Sequence, residues 1–133
     1  MRRRTAGRGR RRARYPDYSL PGRPAGGFEA ARRLAAEGTA GGQAVLAAND
    51  MLAIGALSGF REAGLSVPGD VSVTGVDDIP LASDVTPRLT TVALPLAQCG
   101  AEAIRFAMEK SDVPRRLILE GRLTVRDSTR RRA

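Results

Sequence analysis

Apolar and polar positions alternate along the chain in blocks of two kinds, one at helical spacing and one continuous. In GGFEAARRLAAEG, Phe28, Ala31, Leu34 and Ala35 recur at helical spacing. Arg32 and Arg33 lie on the other side, and Gly38 stands as a C-terminal stop. QAVLAA follows as an unbroken apolar run of strand length, the pattern of a parallel strand covered on both faces. NDMLAIGALSGFREAG returns to helical spacing: Asn49 or Asp50 supplies an N-cap, Ile54, Leu57 and Phe60 recur every three residues, and Gly64 closes the helix. After the turn LSVPGD, VSVTGV predicts a second buried strand. Strand, helix and strand make one βαβ unit, whose crossover is right-handed by rule.

The second half is more broken. The prolines of DDIPLASDVTPR forbid a long helix, and LTTVAL predicts a short extended segment. Pro95 opens an amphipathic helix, PLAQCGAEAIRFAMEK, with Leu96, Cys99, Ala103, Phe106 and Ala107 along one face. LIL and LTV, either side of Glu120-Gly121, predict two short strands. The class is α/β with a mostly parallel sheet flanked by helices.

Charge changes this picture mainly at the ends. Of 22 Lys+Arg against 14 Asp+Glu in 133 residues, eight cations and no acids fall in MRRRTAGRGRRRAR. Without that run and Arg130, Arg131 and Arg132, 11 cations face 14 acids, so the folded part has no basic excess. Residues 1–25, rich in Arg, Gly and Pro, predict a disordered basic tail, since they have little apolar surface to offset the entropy of ordering. The remaining 26–133 are large enough for one core. Cys99 is the single cysteine and histidine is absent, which leaves no disulfide framework, no usual zinc site and no imidazole chemistry; no cofactor is indicated. No run of 18 apolar residues and no secretory h-region occur, so the expectation is a cytoplasmic chain with no membrane partner.

In an open parallel sheet, ligands bind beyond the carboxyl ends of the strands. Here QAVLAA ends in Asn49-Asp50 and VSVTGV in Asp77-Asp78, and if the strands are neighbours both pairs share one rim. An amide offers donors and acceptors and a carboxylate offers strong acceptors, a set suited to a ligand with several hydroxyls, such as a sugar or nucleoside. Two readings stand: Asn49 and Asp77 contact a ligand, while Asp50 caps its helix and Asp78 its loop, or all four are structural. Catalysis is not indicated. Adjacent residues of an extended chain face opposite ways, so Asp77 and Asp78 do not flank one bond, and Cys99 reads as a small core residue on a helix face. No phosphate-binding glycine motif is present.

With these residues quoted, the chain from about Gly26 to Thr129 resembles the carboxy-terminal part of a lactose-repressor family (LacI/GalR) transcriptional regulator. GGFEAARRLAAEG, AVLAANDMLAIGALSGFREAGLSVPGDVSVTGVDDIPLAS, RLTTVALPLAQCGAEAIRFAM and LTVRDST follow in the family's order. The resemblance implies a periplasmic-binding-protein-like effector domain, of which 26–89 and 122–129 form the carboxy-terminal lobe and 95–119 belong to an amino-terminal lobe otherwise missing. It implies effector contact by Asn49 and Asp77. It also implies a homodimer in which the helix of Met51 and Ile54 meets its symmetry mate, and no enzymatic activity. A helix-turn-helix, hinge helix and most of the first lobe would precede this segment, so a truncated regulator is expected, with DNA bound only through a headpiece absent from this chain. Gly22 and Leu94 stand where the family often carries a stacking aromatic and a polar residue. The helix after Pro95 is expected to lack a partner for its apolar face. Two alternatives remain: a stand-alone solute-binding protein, and non-specific nucleic-acid binding by the arginine tail, for which affinity would fall with salt at a log–log slope of up to about −7.

Overall fold

The computed structural model describes residues 24–38, 40, 43–109 and 113–131. The basic tail lies outside them except for Pro24 and Ala25. These two open helix α1 (Pro24–Ala36), so the folded unit starts two residues before the sequence boundary, with proline at a first-turn position where no amide is needed. Strand β1 (Gln43–Leu46), helix α2 (Asp50–Glu62) and strand β2 (Val71–Asp77) realise the expected βαβ unit. The proline-rich loop holds one helical turn, α3 (Leu81–Asp84). Then come β3 (Thr90–Ala93), α4 (Leu96–Met108) and β4 (Arg122–Thr124). The sheet order is β1-β2-β3-β4, parallel throughout except for the antiparallel β3–β4 edge. LTV thus lies in a strand, shifted by one residue, whereas LIL joins no ladder and its residues lie mostly exposed before β4.

The core is aliphatic with one aromatic. Phe60, Leu89, Val71, Val73, Ala53 and Leu57 are buried between α2 and the centre of the sheet. Burial of a side chain such as Phe60 or Leu89 stabilises by about 1.5–3 kcal/mol each. Helices α1 and α2 approach so closely that glycine is required at their crossing. A Cβ on Gly55 would fall within the Pro24 carbonyl oxygen, and one on Gly27 within the Leu52 carbonyl.

Two elements differ from the sequence expectation in burial. QAVL was read as covered on both faces, yet β1 is the edge strand, three of its four residues are exposed, and Leu46 is 80% accessible. Among the described residues only β2 pairs with it, and an open groove of about 370 Å³ runs between β1, α1 and α2, lined by Ala30, Leu34, Val45, Leu46, Leu52 and Phe60. Cys99, read as a core residue, is exposed. The reason is that no residue of α4 is buried: Leu96, Ile104 and Met108 are 61%, 64% and 80% accessible. Helical periodicity identified an apolar face; it carried no information about whether anything covers it.

Arg105 bonds to Glu102 and Glu109 along α4 and lies over the Phe106 ring, and such contacts at an exposed surface hold a helix only weakly. A 13-residue helix without tertiary cover is marginal in water. Amide exchange of 96–108 in the monomeric chain is therefore expected to be far faster than that of α2; equal protection of the two helices would contradict this.

Candidate functional site

The carboxyl ends of the parallel strands are aligned by register. Leu46 pairs with Thr74, and the Ala47 amide donates to the Thr74 carbonyl at 2.9 Å. Asn49 and Asp77 each lie three residues further on. Asp77 is in turn paired with Ala93, and Ala93 with Arg122. With strands about 4.8 Å apart, Asn49, Asp77, Leu94 and Arg122 occupy one rim of the sheet.

Asn49 is the N-cap of α2. Its Oδ1 accepts from the Leu52 amide at 2.9 Å, and its extended backbone starts the helix. The cap consumes the carbonyl oxygen and leaves the amide nitrogen of a half-buried side chain able to donate.

Asp50, expected as a helix cap, does something else. It is fully buried, its Oδ2 accepting from the Ile79 amide at 2.9 Å and its Oδ1 from the Thr91 hydroxyl at 2.5 Å. One carboxylate thereby ties the start of α2 to the loop after β2 and to β3. Gly75 lies beneath it, where a Cβ would collide with Asp50 Oδ1.

The two aspartates ending β2 have separate fates. Both have left-handed backbone, φ 114° at Asp77 and 55° at Asp78. The second value is one that Asp tolerates; the first lies outside the left-handed well and is strained. Neither residue is extended, so the alternation of faces along a strand does not apply to this pair. The two carboxylates still do not flank one bond, because Asp78 is committed to other partners. Its Oδ1 accepts from Arg126 Nη2 at 2.6 Å and its Oδ2 from the Thr124 hydroxyl at 3.4 Å, while Arg126 Nη1 also donates to the Leu89 carbonyl. The Asp77 carboxylate accepts no hydrogen bond and forms no ion pair among the described residues.

Behind the rim, the segment RDST after β4 locks the sheet. Ser128 Oγ donates to the Val73 carbonyl at 2.7 Å and accepts from the Thr90 amide at 2.8 Å, and the Ser128 carbonyl accepts from the Val73 amide. Arg88 bonds Asp127 through two nitrogens, and this hydrogen bonding holds the Asp127 carboxyl below its ordinary range. Sequence reasoning missed Asp50's tie, Thr91, Arg126 and Ser128. Their partners lie 41, 48 and 55 positions away, beyond any local pattern.

On α2, Met51 is exposed at 36%, whereas Ile54 is half-buried and packs against the core cluster. Among the described residues no group of three or more Cys, Asp or Glu could hold a metal ion, and no helix is long and apolar enough to cross a membrane.

Residues 1–129 match the family described as periplasmic binding protein-like domain. A relative named as a probable HTH-type transcriptional repressor, ExuR of Bacillus subtilis, is 38% identical over 86% of this chain and 36% of its own length. Among solved structures, a LacI family transcriptional regulator from Arthrobacter sp. FB24, in complex with lactose, aligns with TM-score 0.70 and 32% identity over 81% of this chain and 42% of the other. The lac repressor dimer bound to operator and an anti-inducer aligns with TM-score 0.71 and 31% identity over 80% and 38%. The chain thus spans about two fifths of the length of these proteins.

Proposed function

Since the chain belongs to the periplasmic-binding-protein-like effector domains of LacI-family transcriptional regulators, a non-enzymatic family, we propose that it senses a sugar-like small molecule at the rim formed by Asn49 and Asp77. The single observation that carries this reading is Asp77. A strained residue at a strand's carboxyl end, with its carboxylate left without a partner while its neighbour Asp78 is paired, is a group held ready for an external donor. The Asn49 amide beside it supplies the complementary donor. Lactose bound to one relative supports hydroxyl-rich ligands as the class.

In this reading residues 26–89 and 122–129 serve as one lobe of a cleft and 95–119 as part of the other. Effector binding biases closure of that cleft, and so the state of an attached DNA-binding headpiece. The chain works in the cytoplasm as a homodimer, with Met51 and Ile54 of α2 at the subunit contact; exposed Met51 is the better placed of the two.

Calorimetric titration with ribose and lactose at millimolar concentration tests the site. Asp77→Ala should lower the affinity about tenfold or more and Asn49→Ala by less, because a hydrogen bond to a charged group contributes about 1.5–3 kcal/mol and one to a neutral group about 0.5–1.5 kcal/mol. Asp77→Ala should leave the melting temperature nearly unchanged, since its carboxylate holds nothing within the described fold. Unchanged affinity in both variants would overturn the assignment.

A further inference from the structure

The rim carries a cation that a neutral sugar does not require. Arg122 begins β4, paired across Ala93 with Asp77, so its Cα stands two strands from Asp77, roughly 10 Å away. Side chains alternate along a strand, and the next two residues of the same parity, Thr124 and Arg126, both reach Asp78. Arg122 therefore continues that row outward, on the face where Asp78 lies and at the level of Asp77 in the register. Unlike that of Arg126, its side chain makes no ion pair or hydrogen bond among the described residues, and the residue is exposed. Among the described residues, Asp77 and Arg122 are thus an acid and a base of this rim whose side chains have no partner, at a separation that a hexose-sized ligand spans once the arginine side chain extends.

Resting on the reading of Asn49 and Asp77 as hydroxyl-binding groups, we propose that Arg122 sets ligand specificity, and that the effector is an anionic polyol. Hydroxyls on such a ligand meet Asn49 and Asp77, and a carboxylate or phosphate meets the guanidinium. The planar, multi-donor head of arginine pairs with either oxyanion in a bidentate manner, which an ammonium does not reproduce. Asp77 in turn disfavours a ligand presenting its anion at the other end, which fixes the ligand's direction across the rim.

The test is a titration of the ¹⁵N-labelled full chain, followed by amide shifts at matched ionic strength, with D-glucose, D-glucuronate, D-glucose 6-phosphate and inorganic phosphate as probes. At least one anionic sugar is expected to bind about fivefold or more tighter than glucose, and whichever of the two does so identifies carboxylate or phosphate as the matching group. Arg122→Gln should abolish that preference, bringing the anionic sugars down to the affinity of glucose, Arg122→Lys should retain part of it, and Asp77→Ala should weaken all three sugars. Spectral dispersion of each variant verifies its fold. Equal binding of glucose and both anionic sugars, or a preference that persists in Arg122→Gln, overturns the role of Arg122 and leaves the Asn49–Asp77 reading intact. Inorganic phosphate binding as tightly as glucose 6-phosphate overturns it too, since the hydroxyls would then contribute nothing. A spectrum that no sugar shifts removes both readings together.

Discussion

Replacing Asp50 with alanine is expected to remove about 3–4 kcal/mol of folding free energy, a large part of what a domain of this size has. The carboxylate is fully buried, and its loss strands two donors, the buried Thr91 hydroxyl and the part-buried Ile79 amide. An unsatisfied buried donor costs about 1–3 kcal/mol, and the vacated volume adds to it. Urea unfolding followed by circular dichroism checks the figure. Asp50→Asn should cost less, because its amide oxygen can satisfy one of the two donors, and Thr91→Val should cost less again, leaving Ile79 served. An Asp50→Ala protein with an unchanged midpoint would show that the carboxylate does not join α2, the loop after β2 and β3.

The second large effect concerns backbone packing. Gly55→Ala places a methyl group where the Pro24 carbonyl stands, so α1 must move away from α2 or α2 must bend. Overpacking of this kind costs about 1–3 kcal/mol and more where backbone rather than a flexible side-chain end must give way. Because Pro24 opens α1, the damage should appear first as lost amide protection in 24–36. Gly100→Ala provides the contrast. It sits within α4 with open space around its Cα, so the same change should stabilise by up to about 1 kcal/mol through helix propensity alone. Opposite signs at two helical glycines separate close approach from propensity; equal effects would contradict the packing described.

Much of the fold could be read from the chain because its signals are local. The period of Ile54, Leu57 and Phe60, the glycine at 64 and the apolar run VSVTGV each report on neighbours within one or two turns, and each lies where that pattern placed it. Asn49 and Asp77 came into view through a rule about strand ends, which needs only the order of elements. Asp50 was misassigned because capping is the local explanation for an acid at a helix start, while its actual partners come from distant loops and strands. Cys99 and Leu46 were misjudged for a different reason. Amphipathy and apolar runs state what a residue would prefer to touch, and among the described residues α4 and the outer edge of β1 have little to touch. Arg122 gave no sequence signal at all, since its interest lies in the register that sets it beside Ala93 and Asp77.

The central claim is that the carboxyl rim of the sheet, rather than the apolar groove beside α1, receives the ligand. Amide-shift mapping of the full chain titrated with lactose tests it most directly. Saturable shifts concentrated at 47–49, 76–79 and 93–94 are expected, lost in Asp77→Ala. Shifts concentrated instead at Ala30, Leu34 and Leu46 along the groove, or shifts at the rim that persist in Asp77→Ala, would contradict it.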